Sequence, residues 1–372
     1  MSILFKKCSQ FPTFGASFNN PIYLLYIGSR NLSMSSPLCK ETQQSSQMSL
    51  HVAVIGVPNA GKSTFINNLI HHRVCPTSTK VHTTRKANKA IITLGNTQLV
   101  FYDTPGLVTQ KEINKHNLDQ SFKSAYRDAV QRSDIIAVVH DTSNTWTRNE
   151  LHSTVLDTLK AYPSFPSFLI LNKIDALKSK RILLDLVKKL TNDTLSGKRK
   201  SSKKDDKEKE REFVAPVVEL KSRQAGWSNF SDVFMVSSII GDGLSEIMSY
   251  LARQAKPSPW KYSSDVFTDQ PAADLIVESV RARLLDYLPQ EIPYNLKSQI
   301  EYYSEEKNTI YASVQVICPT ARIERLICGE ANGKLKQITE RVTSDLVETF
   351  NKPISLTIST VALKETSQQR RG

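Results

Sequence analysis

Gly56, Gly61, Lys62 and Ser63 stand in the spacing G-x-x-x-x-G-K-S, between an apolar run at 51–55 and a segment of helical periodicity opening at Thr64. Val57, Pro58, Asn59 and Ala60 complete the loop. A turn of this kind wraps a polyphosphate in main-chain N–H groups and aims a helix N-terminus at the same charge. Lys62 has the length to reach the β- and γ-phosphates, and the Ser63 hydroxyl can take one Mg²⁺ position. With a strand before it and a helix after it, the pattern implies a bound nucleoside triphosphate rather than a chance turn.

The base is read further along. Asn172, Lys173 and Asp175 follow the apolar run 168–171, at the carboxyl end of a predicted strand, where open α/β sheets bind ligands. A carboxylate there accepts both the N1 and N2 protons of guanine, and adenine offers no such donor pair. Asp175 therefore selects guanine, while Asn172 and Lys173 brace the loop and cover the ring. Ser237 and Ser238 end another apolar strand, and small hydroxyl residues there would let main-chain N–H groups approach the guanine O6.

Between these lies Asp103-Thr104-Pro105-Gly106, after the strand 98–102. An Asp at that strand end can hold Mg²⁺ through water, and the Gly N–H can meet the γ-phosphate. Upstream, Thr83-Thr84-Arg85 supplies a hydroxyl for the metal shell, with Thr84 favoured over Thr83. Ser63, Thr84 and Asp103 are thus the expected Mg²⁺ ligands, and Lys62, Thr84 and Gly106 the residues acting on the transferred phosphoryl group. Many GTPases orient the attacking water with a Gln after the D-x-x-G glycine. Leu107 occupies that position and cannot hydrogen-bond water, which predicts slow intrinsic turnover. Asn59 is a candidate ligand for a monovalent cation such as K⁺, with a loop-stabilising side chain as the alternative.

These residues need a sheet to hold them. From residue 50 to 256 the pattern alternates strand, loop and helix, with strands expected near 51–56, 90–94, 98–103, 135–140, 167–172 and 232–237. That alternation predicts an α/β, doubly wound, mostly parallel sheet. The stretch 196–225 begins with a highly charged run poor in apolar residues and reads as a disordered insertion. Two prolines at 257 and 259 mark a linker. The segment 257–363 then reads as a smaller α+β domain: a helix at 273–288, strands at 297–301 and 309–318, a short helix near 320–328, a longer helix to Phe350, and a strand at 354–358. Helix, tight loop, helix is how a KH fold of type II grips single-stranded nucleic acid. The loop is Gly329-Glu330-Ala331-Asn332, in which Asn332 replaces the usual second glycine and Glu330 would repel a phosphate.

The chain carries 49 basic and 36 acidic residues, a formal charge of +13 that points to a polyanionic partner, nucleic acid or an anionic membrane. Its five cysteines form no C-x-x-C pair, so neither a zinc site nor a disulfide framework follows. No apolar run reaches the length of a membrane helix. The first forty residues contain no Asp or Glu, four basic residues and many serines. That composition reads residues 1–49 as a leader of the organellar transit-peptide kind, with a mitochondrion favoured over a plastid and a disordered cytosolic arm as the alternative, and 364–372 as a disordered tail.

Taken in order, the P-loop with Pro58-Asn59, Thr83-Thr84-Arg85, Asp103 to Gly106, Asn172 to Asp175, Ser237-Ser238, and the phrase Leu288-Pro289-Gln290-Glu291-Ile292-Pro293-Tyr294 resemble the Era family of GTPases in its mitochondrial form. The resemblance spans about residues 50 to 363. It implies a GTPase domain joined to a C-terminal KH domain that binds small-subunit ribosomal RNA near its 3′ end during assembly of the small ribosomal subunit. It implies GTP or GDP with Mg²⁺ as ligands, and a place in the mitochondrial matrix or peripheral to the inner membrane. Two other classes share the first motifs: a GTPase that modifies tRNA, and an RNA- or membrane-binding scaffold with a non-hydrolysing nucleotide site. The first would bring a catalytic cysteine or cofactor motif, which the sequence lacks. Intact Lys62, Ser63 and Asp103 argue against the second.

Overall fold

The computed structural model describes residues 47–78, 88–107, 121–195, 225–289 and 292–363. Thr83, Thr84 and Arg85, the leader, the charged run that begins at 196 and the tail from 364 lie outside the described residues.

The first sheet is built from β1 (Met48–Ile55), β2 (Asn88–Leu94), β3 (Thr97–Asp103), β4 (Ile135–Asp141), β5 (Ser167–Asn172) and β6 (Phe230–Val236) in the order β2-β3-β1-β4-β5-β6. All neighbours run parallel except β2, which pairs antiparallel with β3. The central strands are apolar on both faces because both faces are covered. Along β1, Val52 and Val54 join one core while Ala53 and Ile55 join the other, as the two-residue period of a strand requires. The first core takes Phe65 and Ile66 of α1 (Lys62–Ile70) and Ile247 and Leu251 of α5 (Leu244–Gln254). The second takes Val130, Leu159 and Leu186 from α2 (Ser121–Gln131), α3 (Ser153–Ala161) and α4 (Ile182–Leu190). This is the doubly wound sheet expected, and the loops at its carboxyl edge converge on one pocket.

The second sheet holds β8 (Lys297–Glu306), β9 (Thr309–Cys318) and β10 (Ile354–Ala362) in the order β10-β9-β8. β9 runs antiparallel to β8 and parallel to β10. One face packs on α6 (Ala272–Tyr287), α7 (Ala321–Cys328) and α8 (Gly333–Phe350), through Ile276, Val280, Ile327, Ile338 and Val342 against Ile310, Val314 and Val316. The order α6-β8-β9-α7-α8-β10 is the type II KH arrangement. β8 and β10 run several residues beyond their expected ends at 301 and 358.

The residues read as linker are not free. Lys256–Pro257 forms a short strand, β7, antiparallel to the start of β1. Trp260 donates its indole N–H to Met48 O (3.1 Å), and Gln98 Oε1 accepts from the N–H groups of Lys261 and Tyr262 (both 3.1 Å). Tyr262 and Val266 then cover Ile91, Val100 and Tyr102 on the first sheet. Farther on, an ion cluster joins the two halves. Asp345 of α8 pairs with Arg283 of α6 and with Arg73, which follows α1 (Nη1 to Oδ1, 2.8 Å). Thr349 Oγ1 donates to Arg73 O (2.8 Å), Ser78 Oγ to Asp286 Oδ1 (2.7 Å), and Asn88 Nδ2 to Glu278 Oε2 (3.0 Å).

Candidate nucleotide-binding site

The P-loop turns sharply between β1 and α1 because Gly61 adopts φ 92°, a left-handed conformation that costs a residue with a Cβ. A Cβ there would lie 2.3 Å from Asn172 Nδ2, so loop and base-side strand end touch. Lys62 is buried, its Nζ donating to Gly56 O (3.2 Å) and Val57 O (3.1 Å) across the loop. Burial pushes its ammonium down to a pKa of about 8, against the opposing pull of the Asp103 carboxylate. Ser63 Oγ donates to Asp103 Oδ2 at 2.6 Å, so the two expected metal ligands on described residues meet. Thr104 hydrogen-bonds Val54 O through its Oγ1 (2.7 Å), and Leu107 N donates to Gly56 O (2.9 Å). Gly106 passes so close to the P-loop that a Cβ would lie 2.7 Å from Pro58 Cα. The Leu107 side chain is buried in the second core.

On the base side, strand ends are pinned to each other. Asn172 gives its Nδ2–H to Ala60 O (2.8 Å) and accepts at Oδ1 from Ser238 N (3.1 Å) and Ser238 Oγ (2.8 Å). Asp175 Oδ1 accepts from Ser237 Oγ at 2.6 Å. The N–H of Ser237 goes to Asp242 O (3.1 Å). The two serines therefore act as braces for Asp175 and Asn172, because their N–H groups are engaged within the protein. Lys173, in left-handed backbone (φ 63°), pairs with Asp141 Oδ2 at 2.7 Å. Asn59 is also left-handed, with φ 61°.

Of the sequence-predicted residues, the structure brings together Gly56 to Thr64, Asp103 to Leu107, Asn172, Lys173, Asp175, Ser237 and Ser238 at one sheet edge. Thr84 lies outside the described residues. Sequence reasoning sets Asp141 near the ligand edge without a role and misses Thr142. Thr142 donates its N–H and Oγ1–H to Asn172 O (3.1 and 2.8 Å), fixing the β5 end from the neighbouring strand. The signal in the sequence was that Asp141 closes the apolar run 135–139 much as Asn172 closes 168–171; their direct register belongs to the folded sheet.

Residues 51–173 match the family described as "50S ribosome-binding GTPase". The chain is 34 % identical to "GTPase Era, mitochondrial" of Danio rerio, across 85 % of this chain and 76 % of that protein. It belongs to the Era family of GTPases. The Era protein of Salmo salar, likewise described as mitochondrial, is 33 % identical across 83 % of this chain and 75 % of its own length. "GTPase Era" of Rickettsia bellii is 28 % identical across 83 % and 91 %. Among solved structures, Era in complex with MgGDPNP and nucleotides 1506-1542 of 16S ribosomal RNA superposes with a TM-score of 0.66 at 20 % identity, covering 86 % of this chain and 95 % of that one. Aquifex aeolicus Era bound to GDP.AlF4- gives 0.67 with the same coverage and identity. These two share its fold, so the Era architecture of a GTPase sheet followed by a smaller KH-like sheet is that of this protein.

Proposed function

We propose that the chain is a GTP-driven RNA chaperone of the mitochondrial small ribosomal subunit. The convergence of Lys62, Ser63, Asp103 and Asp175 on one sheet edge, in a chain that also carries a type II KH arrangement, carries this reading. Gly56 to Thr64 cradle the triphosphate, Asp175 accepts from the guanine, and Ser237 keeps that carboxylate aimed. Ser63 and Asp103, with Thr84, fit a Mg²⁺ site by donor chemistry, a hydroxyl already facing a carboxylate. Bound there, the ion neutralises phosphate charge. Gly106 N–H meets the γ-phosphate, and Asn59 offers an oxygen to K⁺. Leu107 is buried and offers the water no hydrogen bond, so turnover is slow until RNA or the subunit supplies order.

The described helices include none long and apolar enough to cross a membrane. The relatives named mitochondrial and the first forty residues, which carry no Asp or Glu, support action in the matrix, with peripheral contact to the inner membrane as the finer reading. The solved Era complex with 16S ribosomal RNA supports small-subunit RNA near its 3′ end as the partner. The domain limits that follow are 50–256 for the GTPase and 257–363 for the KH-like part, with residues 257–269 strapped to the former. Asp175→Asn tests the pocket: GTP affinity should fall by about 10- to 100-fold, because hydrogen bonds to a charged group are lost, while xanthine nucleotide binds better. Unchanged GTP binding would reject Asp175 as the base reader. Binding of single-stranded RNA that is no tighter with GTP than with GDP would reject the chaperone switch.

A further inference from the structure

The end of β4 contains a carboxylate that the nucleotide motifs leave unassigned. Asp141 accepts at Oδ1 from Ser143 N (2.8 Å) and Ser143 Oγ (2.6 Å), and at Oδ2 from Lys173 Nζ (2.7 Å). Its side chain is 16 % exposed and that of Lys173 31 %. Strand pairing sets Asp141 beside Asn172, so it meets the base-side motif from the neighbouring strand. The Lys173 stem passes the P-loop, its Cε 4.0 Å from where a Cβ on Gly61 would stand. One side chain thus spans from the phosphate loop to the β4 end.

An exposed lysine ordinarily samples many rotamers, and ordering it on ligand binding costs free energy. A surface ion pair between two mobile partners does little about this. Here the acceptor is not mobile, because Ser143 clamps it twice from two residues along its own chain. Lys173 also sits in left-handed backbone, a conformation that persists where surrounding contacts enforce it.

We propose that Asp141 is a positioning residue for the guanine nucleotide, holding Lys173 across the mouth of the pocket so that the lysine stem meets the base and ribose already ordered. This rests on the guanine reading above. The hydrogen bonds of Asp141 run to Ser143 and Lys173 rather than toward the triphosphate, so its influence falls on nucleotide retention and is equal for GTP and GDP.

The test is a double-mutant cycle on the full chain, with nucleotide Kd and release rate measured alongside the thermal melt. Asp141→Ala should raise Kd for GTP and GDP alike by about tenfold through faster release, with kcat at saturating GTP within about twofold of wild type. In a Lys173→Ala background the same change should alter Kd by less than about twofold, since the group being positioned is gone. Asp141→Asn, which keeps an acceptor for Ser143, should lie between and covers the case of a poorly folded alanine variant. A penalty that persists undiminished beside Lys173→Ala would overturn the proposal, as would wild-type retention in both Asp141 variants. Should wild type itself hold ATP as well as GTP, the guanine reading falls first. Should Asp175→Asn switch base preference while Asp141→Ala binds like wild type, only the role of Asp141 falls.

Discussion

The nucleotide pocket and the loop between α7 and α8 are both turns that open a helix, yet they are built in opposite ways. In the pocket, left-handed Gly61 leaves no room for a Cβ, and Lys62, Ser63, Asn172 and Asp175 are each held by a hydrogen bond within the site. The second loop also opens on a crowded glycine, Gly329 (φ 71°), but its other left-handed positions carry side chains, Ala331 (φ 47°) and Asn332 (φ 59°), both exposed, and Glu330 adds an exposed acid. Small-ligand recognition here is rigid and over-determined. The second loop tolerates side chains and unfavourable charge, so on the function proposed above an RNA grip there would draw on its surroundings, including Lys334 and the exposed Lys336 at the start of α8.

Changing one methyl group at each turn separates the two designs most sharply. Gly61→Ala combines a strained φ with a clash on Asn172 and should cost about 2–4 kcal/mol of local order, with GTP binding lost in a titration. The inverse change, Ala331→Gly, removes a left-handed alanine and should leave the melting temperature unchanged or raise stability by up to about 1 kcal/mol. Equal losses at both positions would erase the contrast.

Next in size is a pH effect confined to the pocket. Lys62 titrates near 8, below its unfolded value, so its charge is lost as pH rises through that point. GTP affinity should be flat below pH 7 and about tenfold weaker at pH 9, read by titration at fixed ionic strength. A flat profile to pH 9 would mean that burial does not govern this lysine.

The smallest effect belongs to the RNA side. Glu330→Lys should tighten single-stranded RNA binding by about three- to fivefold and steepen the salt dependence by close to one ion. An unaltered salt slope would place this loop outside the RNA path.

How much was legible follows the same divide. The pocket could be read because each of its residues sits at a strand end, and strands such as β4, with Ile135 to Val139 apolar throughout, declare themselves. The outer half of β8 did not, since Tyr302, Tyr303, Glu305 and Glu306 are exposed and the stretch carries no apolar period. Its pairing depends on side chains from other strands, among them Gln315 and Ser313 donating to Glu301 (2.6 and 3.1 Å). The strap at 256–269 was hidden for a related reason: prolines announce a break, but Trp260 and Tyr262 find partners 160 or more residues away. The pairing of Asp141 with Lys173 likewise exists only once two strands lie side by side.

The cluster around Asp345 has a further consequence for how the halves can part. Its carboxylate is paired with Arg283 and, at 3.8 Å, Arg341 from its own domain and with Arg73 from the other. Separation would release only Arg73, whose side chain is already 22 % exposed and rehydrates at small cost. Asp345 would keep its home partners, avoiding the several kcal/mol that a stranded buried carboxylate imposes. That ion pair would thus open like a clasp, with the hydrogen bonds of Thr349, Ser78 and Asn88 left to hold the seam, and α1 links its Arg73 end to the P-loop turn.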